Sequence, residues 1–136
     1  QNMNILKDSL SKASENSTLL FLGDKIYPIG MPKKDDKERP LAEKKIDNQI
    51  SLVENFAGKT IFIPGNHDWY NNGIKGLKRE EDYVTEKLND INAFLPKNGC
   101  PIETRKINKK LTLIVIDTEW VLADWSKNPE INENVT

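Results

Sequence analysis

The sequence predicts an α/β fold built on a βαβ unit and closed by a hairpin, and three features carry that prediction. Two short continuous apolar runs, TLLFL at 18–22 and TIFIP at 60–64, have the length and character of buried parallel strands. Between them Ala42, Ile46, Ile50, Val53 and Ala57 recur at steps of 4, 4, 3 and 4, the period of a helix with one buried face. Further on, the apolar-containing stretches 102–107 and 111–116 flank a polar turn and read as an antiparallel hairpin. A strand, a crossover helix and a second strand make a parallel pair, almost always with a right-handed connection.

Each element has its own signal. Met3, Leu6, Leu10 and Ala13 lay an apolar stripe along residues 2–14, an amphipathic helix broken by ENS at 15–17. The first strand runs into GDKIYPIGMP, whose Gly and Pro mark a loop. KKDDKER at 33–39 mixes both signs of charge and reads as a solvated approach to the next helix. Pro40 suits that helix's first turn and Gly58 closes it. After the second strand GNHDWYNNG is another loop. Val84, Leu88, Ile91 and Leu95 mark a third helix, stopped by Pro96 and the Asn98-Gly99 pair. The hairpin turn falls at 108–110. No repeat, low-complexity tract or linker divides the chain.

Composition narrows the functional classes. The 136 residues carry 20 Lys+Arg against 21 Asp+Glu, a net charge of −1 that gives no field to recruit nucleic acid or an anionic membrane surface. The apolar share of 37% builds a core and exceeds that of a disordered chain. No apolar run approaches the length of a membrane span. The lone Cys100 has no partner for an internal disulfide. His67 is the one histidine. The sequence opens QNMNILKDSL, without an initiator Met or a leader, and stops at INENVT without a closing element. The expectation is one partial domain, 1–136, of a longer protein.

The two parallel strands each end in glycine followed by a potential ligand, Gly23-Asp24 and Gly65-Asn66. Open α/β sheets place ligands outside the C-terminal ends of their strands, so these loops should meet in space. Glycine lets the backbone turn sharply and a cation or phosphate approach. A carboxylate such as Asp24 can bridge two hard or borderline cations, and the Asn66 amide oxygen completes a shell without adding charge. His67 can donate a proton or stabilise a developing phosphoryl oxyanion, with Asp68 holding its imidazole in one tautomer. Each unit alone has an ordinary reading: Gly-Asp and Gly-Asn are common turns, and a lone histidine is often structural. Two matching strand-Gly-ligand units flanking one helix are much less ordinary. Trp69 and Tyr70 are candidates for a substrate wall, and Asp117 for a strand-end cap.

FLGDKIYPIG and IPGNHDWY resemble the second and third motif blocks of the calcineurin-like metallophosphoesterases, and Tyr27, three residues after Asp24, resembles their purple acid phosphatase branch. The resemblance covers about residues 18–70. It implies part of a four-layer α/β sandwich with a two-metal site (iron, zinc or manganese) that hydrolyses phosphate esters through a metal-activated hydroxide. It further implies that Asp24 bridges both metals, Tyr27 is a phenolate ligand and Asn66 binds the second metal. His67 then assists phosphoryl transfer, oriented by Asp68. Relatives of this type are often exported, which points to a bacterial cell envelope.

The departures have consequences. The family's first block, Asp-x-His or Asp-x-Gly, should precede residue 1, and its lone His and Gly-His-x-His blocks should follow residue 136. With His67 assigned to catalysis, no histidine is left to bind metal. Lys25 stands where many relatives have Asn, and its cation would oppose bound metals unless it points away or meets substrate. The alternative is a non-catalytic module of the same fold that binds a ligand or protein partner in its cleft.

Overall fold

The computed structural model describes residues 2–127. The C-terminal INENVT stretch lies outside the described residues.

The predicted βαβ unit is present. β1 (Thr18–Leu22) pairs in parallel with β2 (Lys59–Ile63), with Leu20 opposite Ile61. Between them runs α2 (Arg39–Ile50), with Pro40 in its first turn and Ala42 and Ile46 buried. α2 stops seven residues short of Ala57. The chain tightens into a 3₁₀ turn at Ser51–Val53, so Val53 is buried without being on the helix. α1 (Asn2–Ser11) buries only Leu10, against Leu52 and Val53 of that turn. It also ends before Ala13, because little of its stripe is covered: Met3 and Leu6 stay exposed.

The third helix departs most from expectation. α3 (Ile74–Leu88) begins ten residues before Val84, and Asn89 ends it in a left-handed conformation (φ 49°, ψ 41°). Ile91 is exposed, and Leu95 lies on no helix. Residues 93–95 instead line up beside β2. The Phe62 N–H donates to the Ala93 carbonyl at 2.7 Å, and the Leu95 N–H donates to the Phe62 carbonyl at 2.9 Å. The physical reason is that a short apolar run buried on both sides cannot be told from a helix by period alone. β2 therefore sits between β1 and this added segment.

The hairpin forms from β3 (Ile102–Lys106) and β4 (Thr112–Ile116), with Ile102 opposite Ile116. Val115 mounts it on the parallel sheet by packing with Ile61 and Leu95. A short helix, α4 (Glu119–Leu122), follows; its Glu119 N–H donates to the Asp117 carboxylate at 3.1 Å. The main core gathers Ile26, Met31, Ile46, Phe62, Leu77 and Phe94 between the sheet and helices α2 and α3. No helix among the described residues is long and apolar enough to cross a membrane.

Candidate metal centre

The two strand-end loops interlock. The Gly23 N–H donates to the Ile63 carbonyl at 2.8 Å, which carries the parallel ladder one residue past β1. Gly23 and Asp24 then both take positive φ (57° and 51°), a turn that glycine makes freely and aspartate tolerates. That turn lays the Asp24 carboxylate on the second loop, where Oδ1 accepts the His67 backbone N–H at 3.0 Å. The approach leaves no room for side chains on the glycines. A Cβ at Gly65 would lie 2.5 Å from Asp24 Oδ1 and 2.7 Å from Asp24 N. The structure thus brings Asp24 and the Asn66–Trp69 3₁₀ turn to one place, as the strand reading expects.

Asp68 does not orient His67. Its side chain is fully buried and turned inward, with Oδ2 accepting the N–H of Asp24 at 3.0 Å, the N–H of Gly65 at 2.8 Å and Lys25 Nζ at 3.0 Å. The expectation rested on sequence adjacency, but in a tight 3₁₀ turn adjacent side chains leave in different directions. His67 is held instead by Pro28: its ring Nδ1 donates to the Pro28 carbonyl at 2.9 Å. A carbonyl can only accept, so Nδ1 carries the hydrogen and Nε2 is left for other partners. The imidazole is flanked by the rings of Tyr27 at 4.3 Å and Tyr70 at 4.5 Å. Tyr70 also touches the neighbouring ligand, since Asn66 Nδ2 donates to its hydroxyl at 2.9 Å.

Lys25 points away from the loops' outer surface. Its Nζ donates to the Ile63 carbonyl at 2.6 Å, pairs with Asp68 and lies 3.4 Å from Glu80 Oε1 on α3. The side chains of all three charged residues are essentially sealed from solvent. Burial pushes the Glu80 carboxyl up to about 8, with Lys25 opposing the rise and Asp68 adding to it. Sequence reasoning missed Glu80. The signal was there: Leu77, Glu80 and Val84 share one face of α3 by their 3- and 4-residue spacing, and two of the three are apolar. Asp117 takes the capping role expected of it, and its other oxygen accepts the Trp69 indole N–H at 2.9 Å. Trp69 is buried, so Tyr70 is the more open of the two proposed wall residues. Both border a groove of about 500 Å³ that Glu119 and Asp124 also line.

The donor set offered to a metal is oxygen-only. Asp24, Asn66 and Tyr27 are exposed on the outer side of the loops, and Asp24 Oδ2 accepts no hydrogen bond from the described residues. A carboxylate, an amide oxygen and a phenol suit a hard or borderline cation. Among the described residues no three His, Cys, Asp or Glu side chains converge on one metal position. The chain's residues therefore fit part of a metal shell.

Comparison with curated proteins and with solved structures finds no match. Comparison with protein families does: the model of the calcineurin-like phosphoesterases matches residues 2–127. Members of that family are, in general, metal-dependent phosphoesterases. By this match over nearly its whole length, the chain belongs to the calcineurin-like phosphoesterase family.

Proposed function

We propose that this chain carries part of the two-metal centre of a phosphatase of the purple acid phosphatase-like branch, acting on phosphate monoesters. The observation that carries the reading is the contact of Asp24 Oδ1 with the His67 N–H, which ties a carboxylate ligand to the loop bearing Asn66 and the only imidazole. Asp24, Asn66 and Tyr27 would hold the cations, Asp24 through its carboxylate, Asn66 through a neutral amide oxygen and Tyr27 through its phenol oxygen. When bound, the cations supply Lewis acidity toward the phosphoryl oxygens and toward water. The further ligands that two cations need would come from outside these residues, since among the described residues no three His, Cys, Asp or Glu side chains converge on one metal position.

His67 provides the proton. With Nδ1 donating to Pro28, a protonated ring presents its Nε2 hydrogen to the leaving oxygen, and the rings of Tyr27 and Tyr70 restrict its rotation. Lys25 does not oppose cations at Asp24, because its charge is turned inward and paired with Asp68. The feature that favoured a non-catalytic module thus loses its force. The test is metal-dependent hydrolysis of a chromogenic phosphate monoester by the protein with its flanking sequence. Asp24→Asn should abolish turnover; turnover that survives both this change and chelation would overturn the reading.

A further inference from the structure

Three charged side chains are sealed directly beneath the interlocked loops, and their hydrogen bonds to the described residues are these. Lys25 Nζ donates two hydrogen bonds, to the Ile63 carbonyl at 2.6 Å and to Asp68 Oδ2 at 3.0 Å, and its third neighbour, Glu80 Oε1, lies in ion-pair range at 3.4 Å. Asp68 Oδ2 takes two further hydrogens, from the backbones of Asp24 and Gly65. Asp68 Oδ1 is buried and has no donor, and neither Glu80 oxygen receives a hydrogen bond. Two carboxylates against one ammonium also leave a sealed excess of one negative charge, which a low-dielectric interior penalises heavily. One hydrogen on Glu80 resolves both problems. It neutralises the cluster and supplies a donor for Asp68 Oδ1, both carboxylates lying against the same Lys25 Nζ at 3.0 and 3.4 Å.

We propose that Lys25, Asp68 and Glu80 act as a positioning cluster that fixes the spacing of the two metal-ligand loops, with Glu80 donating its carboxyl hydrogen to Asp68 Oδ1. Asp68 is the clasp, because one of its oxygens holds the backbones of both loops at once. Lys25 holds the clasp and ties it to Ile63 of β2 and to Glu80 of α3. The role of the cluster in metal binding rests on the proposed function; its geometry does not. The residues act through Asp24 and Asn66 and touch no substrate themselves.

The experiment uses the metal-free chain, with backbone amides labelled by ¹⁵N and glutamate carboxyls by ¹³C. The Glu80 carboxyl carbon should show the shift of a protonated acid near neutral pH, where an ordinary glutamate is ionised. Glu80→Gln keeps a donor for Asp68 and should leave the Asp24 and Gly65 amide resonances in place. Glu80→Leu removes it and should move both resonances together, beyond the changes at other amides. If Glu80→Leu does not fold, the wild-type carboxyl signal still decides. An ionised Glu80 near neutral pH, or unchanged Asp24 and Gly65 amides in a folded Glu80→Leu variant, overturns the proposal. Neither readout involves a metal, so failure here is separate from failure of the metal reading, which a Mn²⁺ titration of the same sample reports.

Discussion

The Asp24 carboxylate accepts the backbone N–H of His67 at 3.0 Å, joining residues 43 positions apart across the ends of two parallel strands. The contact exists because Gly23 and Gly65 let the two loops approach within a distance that no side chain would permit. It links strand pairing to the proposed chemistry: the sheet sets where the loops leave, and the glycines set how closely they lie.

Gly65→Ala should therefore be far more damaging than an ordinary surface substitution. The added methyl would sit 2.5 Å from Asp24 Oδ1 and 2.9 Å from Gly23 Cα, so one loop must move. Overpacking of this kind costs about 1–3 kcal/mol. Urea unfolding should show that loss, and the His67 amide should lose its hydrogen-bonded shift. A variant as stable as the parent with an unchanged His67 amide would show that the loops are not in contact.

Asp68→Ala should be one of the most destabilising single changes in the chain. It leaves Lys25 buried without its closest carboxylate and strips the Asp24 and Gly65 amides of their acceptor. Removing one partner of a buried pair costs about 3–5 kcal/mol. By contrast, His67→Ala should change stability little, since that ring is only half-buried. Equal losses for the two variants in denaturant would contradict the inward placement of Asp68.

These two residues show what the sequence made legible and what it hid. The strand at 18–22, the second strand (expected at 60–64 and found one residue earlier, at 59–63), Pro40 in the first turn of α2 and the hairpin follow from local pattern. The meeting of Asp24 with the GNHD loop also follows, because parallel strands send their C-terminal loops to one edge. The direction of Asp68 and Lys25 does not follow. Facing inward or outward at a strand end depends on which partners the core supplies, and here the partner of Lys25 is Glu80, a residue of α3. Residues 93–95 were hidden for a different reason: their place beside β2 is a tertiary contact with no period of its own.

Stability should fall as pH rises through the neutral range. Burial, the largest influence, lifts Glu80 from the ordinary 4.5 to about 8, so between those values the folded chain holds a proton that the unfolded chain has released. Its contribution is complete below the unfolded value, declines as pH climbs toward the folded one, and does not change beyond it. The buried Glu81 and Asp117 carboxyls are raised as well and push in the same sense. Urea midpoints measured across this range should slope downward in the parent and less steeply in Glu80→Gln. Parallel slopes in the two proteins would remove Glu80 as the source.

In the active protein, His67→Ala and Asn66→Ala should fail in different ways. Loss of the imidazole should lower kcat by roughly 10²–10⁴-fold and leave metal content near normal. Loss of the amide should lower metal occupancy, and Tyr70→Phe, which keeps the ring but frees the Asn66 amide, should lower it to a smaller degree. Metal analysis beside steady-state kinetics separates these effects. Equal metal loss in both alanine variants would make His67 a ligand.

The most direct test of the account is a Mn²⁺ titration of the isolated chain followed through its backbone amide spectrum. Paramagnetic broadening should start at the loop around Asp24 and Tyr27 and at the one around Asn66 and His67, and Asp24→Asn should abolish it at both. The hairpin amides of β3 and β4 should stay sharp throughout. Broadening at only one loop, or broadening that persists in Asp24→Asn, would contradict the claim that Asp24 joins the two loops into a single metal site.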